Sequence, residues 1–329
     1  AGTDQPVKTV SYVSEKMGIK SFLTYEQSLN LTNKKRMKEI FKRNNIQYVN
    51  YQLIKEDVEK SEIIIKFPAV LKPLDSQGQR GIYKIDNFKE IKKYIRDSFL
   101  YTKEDEILLE EYYPNDEITV SGWVEEGKTY ILSISDRETF SENVNIGICK
   151  GHRYPSIHFK EYKDEIVELT EKIVKAFKIY NGPIYFQMLI GREGIKLNEV
   201  AARLGGAYED EYIPIATGVS LLDLLIDRSL NDFSHDYFID KDYLDINKYI
   251  YILLLFSKPG VVKEITSLDS ISAVHSGKLF IKEGDSIGIM TNATSRIGYG
   301  IIVADSEKEL DSKINEFWKE FIIILGELK

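Results

Sequence analysis

Residues 184–206, IYFQMLIGREGIKLNEVAARLGG, constrain this chain more than any other stretch. They read as two short strands joined by a tight turn at Gly191-Arg192-Glu193-Gly194, running out through Arg203 into a Gly205-Gly206 pair. Side chains alternate between faces along a strand, so an antiparallel hairpin lets Gln187 and Glu199 share one face. By the same alternation Asn198 is expected on the opposite face. An amide carbonyl and a carboxylate, with an arginine beyond them, suit a hard cation that carries phosphate oxygens. A hairpin with a buried polar pair satisfies the same residues, and the stretch alone leaves both readings open.

The rest of the chain narrows the class. Its 329 residues suffice for two or three structural units with sizeable cores. Lys+Arg 44 against Asp+Glu 52 give a formal net charge of -8, which argues against a dominant nucleic-acid surface. The single cysteine, Cys149, rules out an intrachain disulfide framework and a CxxC metal pair. The histidines lack HExxH spacing, and neither the phosphate-loop GxxxxGK pattern nor GxGxxG occurs. No apolar run reaches membrane-spanning length and no signal-peptide pattern is present, so a cytoplasmic protein with no membrane partner is the expectation. The first residue is Ala and no strand precedes the first helix, so an N-terminally trimmed chain is also expected.

Along the chain, helices are expected over 7–17, closed by Gly18, and over 33–44, capped by Thr32, with a Thr24/Gln27 capping box between them. Phe67-Pro68-Ala69-Val70-Leu71-Lys72-Pro73 reads as a buried strand that delivers a lysine. The following Asp75-Ser76-Gln77-Gly78-Gln79-Arg80-Gly81 suits a loop folding over phosphates, because backbone N–H groups approach an anion closely where no Cβ intervenes. An ordinary hairpin loop has the same composition. A strand over 106–110 leads into Glu111-Tyr112-Tyr113-Pro114, and a second strand covers 117–124. Residues 136–152 read as a long polar loop, the kind that is often functional.

In this order, Lys72 on its strand, the 75–81 loop, Leu108-Leu109-Glu110-Glu111-Tyr112-Tyr113 with Glu117 beyond it, and Gln187 with Asn198-Glu199-Val200-Ala201-Ala202-Arg203 resemble the ATP-grasp superfamily. The opening DQPVKTV and the run Leu31-Thr32-Asn33-Lys34-Lys35-Arg36-Met37 are similar to the end of that superfamily's N-terminal preceding domain and its next helix. The branch resembled is the carboxylate–amine ligases related to carbamoyl-phosphate synthase large chains and the amino-acid ligases. The resemblance implies an α+β fold, two α+β subdomains clasping ATP, followed by a small C-terminal α+β subdomain. The expected units are 1–62 leading in, 63–112 as a lid, 113–232 as the central part with the metal site, and 233–329.

Roles follow from the same resemblance. Lys72 would bind the nucleotide phosphates and, with Arg203 facing the transferring phosphoryl group, serve catalysis. Ser76, Gln77 and Gly78 would close over the β- and γ-phosphates. Glu110 and the backbone of Glu111, Tyr112 and Tyr113 would read the adenine amino group, and Glu117 would hold the ribose. Gln187 and Glu199 would hold Mg2+, or Mn2+ in its place. Gly205 and Gly206 would present N–H groups to the acid, and Arg137, His152 and Arg153 would flank it; plain surface solvation accounts for these three equally well. Where the family often has Glu-x-Asn-x-Arg, this chain has Ala201, one metal ligand fewer. The implied reaction joins a small-molecule carboxylate to an amine through an acyl phosphate, with ADP and phosphate released. A bicarbonate-using, carbamoyl-phosphate-synthase-like enzyme and a non-catalytic nucleotide-binding scaffold are the alternatives, and a homodimer is compatible with all three.

Overall fold

The computed structural model describes residues 4–140, 146–231, 235–238 and 242–327. Three helices lead in: α1 (Asp4–Met17), α2 (Tyr25–Thr32) and α3 (Lys34–Arg43). Thr24 and Gln27 make the expected capping box on α2. The cap of α3 is Asn33, not Thr32: Asn33 accepts from the Arg36 N–H, while the Thr32 hydroxyl still belongs to the last turn of α2 and donates to the Ser28 carbonyl.

A four-stranded antiparallel sheet follows, built from β1 (Tyr51–Ile54), β2 (Ala69–Pro73), β3 (Tyr83–Ile85) and β4 (Ile107–Glu111) in the order β1-β4-β2-β3. Helix α4 (Phe88–Phe99) covers one face, where Ala69, Leu71, Ile91 and Ile95 form a core of their own. Strand alternation turns Val70 and Lys72, with Leu108 and Glu110, to the other face.

The largest element is an eight-stranded antiparallel sheet. It takes β5 (Asn115–Glu125), β6 (Lys128–Thr139), β7 (Cys149–Tyr154), β8 (Gly182–Gly191), β9 (Gly194–Ala201) and β10 (Tyr249–Leu255). After β11 (Gly260–Ile265) it is extended by β12 (Ser276–Leu279) and, past β13 (Ser286–Ile287), by β14 (Gly298–Ala304), in the order β12-β14-β10-β7-β6-β5-β8-β9. Its apolar faces are packed by α3, by α5 (Phe159–Ala176), and by α6 (Glu209–Thr217) with α7 (Leu221–Ser229). Strands β11, β13 and β15 (Ile323–Gly326) form a separate three-stranded sheet, and α8 (Glu307–Glu320) buries Leu310 and Phe317 in a third core beside it.

One segment departs from expectation. Residues 136–152 are not a loop throughout: β6 runs on to Thr139 and β7 begins at Cys149, with Asp136 paired to Arg153 and Arg137 to His152. The segment lacks an apolar pattern because side chains such as Asp136, Arg137 and His152 are polar and are met by partners outside it, among them Ser156, Glu117 and Thr119. Residues 141–145 of that expected loop lie outside the described residues. Among the described residues no helix is long and apolar enough to cross a membrane.

Candidate functional site

The cleft between the four-stranded sheet and the large sheet encloses a cavity of about 260 Å3. Both walls are strand faces, so its lining repeats every second residue: Lys72 from β2, Glu110 from β4, Glu117 from β5, Arg137 from β6, and Gln187 and Leu189 from β8. Helix α3 closes one side with Lys34 and Lys38, four residues apart and therefore on one helical face. Glu111, Tyr112 and Tyr113 edge the cavity.

On the wall formed by the four-stranded sheet, Glu110 and Lys72 are paired. One Glu110 oxygen accepts from Lys38 Nζ at 2.5 Å and the other from Lys72 Nζ at 2.5 Å, with side chains 3% exposed for Glu110 and Lys38 and 15% for Lys72. Burial alone would raise the Glu110 pKa; two ammonium groups overcome it and hold the carboxyl at about 2. Burial lowers the Lys38 pKa, and its single carboxylate partner does not fully offset that. Lys38 also lies over the rings of Phe41 and Tyr48, at 5.7 and 5.5 Å from their centroids. Each Glu110 oxygen thus already accepts from one lysine.

The central wall differs. Arg137 donates to one Glu117 oxygen at 2.8 Å and to the Gly147 carbonyl at 2.9 Å. The other Glu117 oxygen, Oε1, is buried and has no partner. Burial raises the Glu117 pKa, and Arg137 offsets only part of it. Because Arg137 is already engaged on both arms, it is not the open fork for a carboxylate that its sequence position suggested.

At the far end of this wall Gln187 and Glu199 are direct cross-strand partners, so they do share a face. The expected position of Asn198 is overturned. The β8–β9 register shifts between Gln187 and Met188: Gln187 faces Glu199 but Met188 faces Leu197, leaving Asn198 as the extra residue of a β-bulge. A bulge puts two residues opposite one and re-aims a side chain. Asn198 therefore lines the cavity beside Glu199. Its Oδ1 accepts from Lys72 Nζ at 3.3 Å and its Nδ2 donates to Gln187 Oε1 at 3.4 Å. Among the described residues no cluster of three or more His, Cys, Asp or Glu side chains could hold a metal ion. The oxygens on offer here are one carboxylate and two amide carbonyls, a hard donor set that fits Mg2+ if phosphate and water complete the octahedron.

A second cavity of about 280 Å3 adjoins the first and shares Lys34, Arg137, Gln187 and Glu199 with it. The glycine-containing loop borders this cavity through Ser76, Gln77 and Gly78, with Gly78 at φ 67 and the Ser76 carbonyl held by Lys34 at 3.0 Å. Arg203 also borders it, but its guanidinium is filled by Asp4 of α1, at 2.5 and 2.9 Å. Asp4 takes the Nε and Nη2 edge of Arg203, so a phosphoryl or carboxylate group seeking that edge competes with Asp4. His152 is fully buried; burial, then Arg137 and Arg296, lowers its pKa to about 3, so the ring is neutral. Its Nε2 has no partner, while Nδ1 lies 3.4 Å from both the Thr119 and Ser135 hydroxyls.

Gly206 borders the second cavity, and its carbonyl accepts from Arg296 at 3.2 Å. A Cβ at Gly205 would sit 2.2 Å from the Glu209 carboxyl carbon, so packing against that buried acid requires glycine there. Arg153 is not brought to either cavity. It follows His152 on β7 and so points to the other face, where it pairs with Asp311 at 2.6 Å. Lys34, Lys38, Asn198 and Asp4 are the residues that sequence reasoning missed. For Lys38 a signal exists: a lysine inside the apolar stripe Met37–Phe41 is out of place on a core-facing helix unless it is paired.

Residues 65–211 match the family model described as the ATP-grasp domain. Phosphoribosylamine–glycine ligase of Pyrococcus abyssi is 26% identical over 215 residues, covering 57% of this chain and 49% of that protein. The chain thus spans about half the length of the curated relatives it matches first. The crystal structure of an L-amino acid ligase from Bacillus licheniformis superposes with a TM-score of 0.82 at 17% identity, covering 99% of this chain and 79% of that one. The biotin carboxylase domain of 2-oxoglutarate carboxylase from Hydrogenobacter thermophilus, solved with MgADP and bicarbonate, gives 0.75 at 16% identity, covering 97% and 72%. The chain therefore carries an ATP-grasp domain over residues 65–211 and takes the ATP-grasp fold.

Proposed function

We propose that this chain is an ATP-dependent carboxylate–amine ligase that forms an amide or peptide bond through an acyl phosphate and releases ADP and phosphate. The observation that carries the reading is the unpartnered, buried Glu117 Oε1 in the wall of the first cavity. A buried acceptor without a donor is rare and asks for one. A ribose hydroxyl supplies it, while Lys72 lies across the cleft for the phosphates. Gln187 and Glu199 would hold Mg2+, which would supply neutralisation of charge on the phosphates.

The phosphoryl-transfer step then has residues to serve it. The acid's carboxylate oxygen attacks the γ-phosphorus as the bond from that phosphorus to the β-phosphate bridging oxygen breaks, and ADP leaves. The amine attacks the acyl carbon, phosphate leaves, and the amine gives up one proton. Lys72 and Arg203 stabilise the charge on the transferring group, Arg203 after exchanging Asp4 for the incoming anion. The loop at Ser76, Gln77 and Gly78 covers the phosphates and excludes water that would hydrolyse the acyl phosphate. The names of the relatives, a glycine ligase and an amino-acid ligase, favour an amino acid as one reactant.

The test is a matrix of acids against amines, bicarbonate among the acids, assayed for ADP release with Mg2+. Acid- and amine-dependent ADP release that is lost in Glu199→Ala is the expected result. ATP binding with no ADP release in any combination would favour a nucleotide-binding scaffold. Release that needs only bicarbonate would favour the carbamoyl-phosphate-synthase-like reading.

A further inference from the structure

Asn198 sits where strand alternation does not place it, and it touches both walls of the cleft. Resting on the nucleotide and metal reading above, we propose that Asn198 is a positioning residue that orients the Gln187 amide for metal binding and ties it to the phosphate lysine Lys72.

An amide is an ambiguous metal ligand. Its oxygen and its NH2 are nearly the same size, and a half-turn of the last torsion exchanges an acceptor for two donors. A carboxylate has no such ambiguity. A chain that uses glutamine as a ligand therefore needs something to hold the oxygen in place. Here Asn198 Nδ2 donates to Gln187 Oε1 at 3.4 Å. That bond uses one lone pair and leaves the second for a cation. The same Asn198 amide accepts from Lys72 Nζ at 3.3 Å through Oδ1, which fixes its own orientation in turn. Lys72 is held by Glu110, and Glu110 by Lys38, each at 2.5 Å. One polar chain thus runs from α3 through β4 and β2 to the bulge in β9 and the ligand on β8. An amide side chain can accept from an ammonium group through its oxygen and donate to a carbonyl through its nitrogen at once, and the two bonds together fix its orientation. Partners of this kind hold ligands in place at metal sites generally.

The consequence is specific. Asn198 makes nucleotide affinity depend on the metal, and it does so because residue 187 is an amide. The experiment is a double-mutant cycle on the chain described here, with Asn198→Leu and Gln187→Glu separately and together. The readouts are ADP affinity with and without Mg2+ by calorimetry and Mn2+ binding in the presence of ADP by electron paramagnetic resonance. Asn198→Leu should lower Mn2+ affinity roughly ten- to hundredfold, the usual range for such partners. With glutamate at 187, which needs no orienting, the same Leu change should have little effect on metal affinity. Equal losses in both backgrounds, or no loss in the first, would overturn the inference and leave the nucleotide reading standing. No ADP binding by the unaltered chain would overturn both. A matching thermal transition in all four proteins separates these results from misfolding; if Asn198→Leu fails to fold, Asn198→Ser, which cannot reach both partners, takes its place.

Discussion

The two walls of the first cavity each carry a buried carboxylate, Glu110 and Glu117, seven residues apart in sequence, and they are in opposite states. Glu110 has a lysine on each oxygen and a pKa held at about 2. Glu117 has an arginine on one oxygen, nothing on the other, and a raised pKa. The carboxylate on the wall of the four-stranded sheet is paired on both oxygens within the chain, so it serves structure and the placement of Lys72. The central wall keeps an open acceptor, so its carboxylate is suited to a ligand. Residue type does not distinguish them; the number of cations that the fold brings to each does.

The largest effect that would break this comparison is on stability. Lys38→Met leaves Glu110 with one partner in a buried site, and removing one member of such a pair typically costs about 3 kcal/mol or more. Denaturant unfolding should show this, with the loss of similar size at neutral pH and just above the ordinary carboxylate value of 4.5. Because the Glu110 pKa in the folded chain is depressed, its contribution is present above that value and is lost as pH falls toward about 2, so the gap between the two proteins should close there. A gap that widened on acidification would contradict the pairing. Glu117→Gln should also cost stability, because it leaves the buried Arg137 without its carboxylate, but without the acid-range loss that marks the Glu110 pair.

Next in size is binding. Lys72→Ala should weaken ADP by about 1.5–3 kcal/mol, the range for hydrogen bonds to charged groups. Unchanged affinity by calorimetry would mean that the phosphates lie elsewhere. Glu117→Gln should reduce affinity about tenfold. More tellingly, it should shrink the preference for ADP over its 2'-deoxy and 3'-deoxy analogues, whereas Lys72→Ala should weaken all three alike. The smallest effect belongs to the second cavity. Asp4→Asn removes the anion that fills Arg203, and should lower the KM for the acid by about fivefold or less with kcat little changed. A rise in that KM would show that Asp4 builds the acid site and does not merely occupy it.

Much of this was legible in the residues. The Gln187–Glu199 pairing follows from strand period and a tight turn, and Lys72 from an apolar strand that ends in a charge. What was not legible has one physical origin: side chains whose partners come from distant segments. Asn198 was assigned to the wrong face because a bulge shifts the period by one, and nothing local announces it. Arg203 reads as a free cation until α1 delivers Asp4 across 199 residues of sequence. Residues 136–152 read as a loop because side chains such as Arg137 and His152 are polar and find their partners, Glu117 and Ser135, across the sheet. Arg153 was drawn into the site by its neighbour, although adjacent residues of a regular strand, with no bulge between them, point to opposite faces.

The central claim is that the open Glu117 oxygen is the ribose contact of a nucleotide whose phosphates meet Lys72. A crystal structure of the chain with ADP and Mg2+ tests it most directly. The account predicts a ribose hydroxyl within hydrogen-bonding distance of Glu117 Oε1, phosphate oxygens on Lys72, and the ion between Gln187 and Glu199. A nucleotide bound elsewhere, or bound here with Glu117 Oε1 still unpartnered, would contradict it.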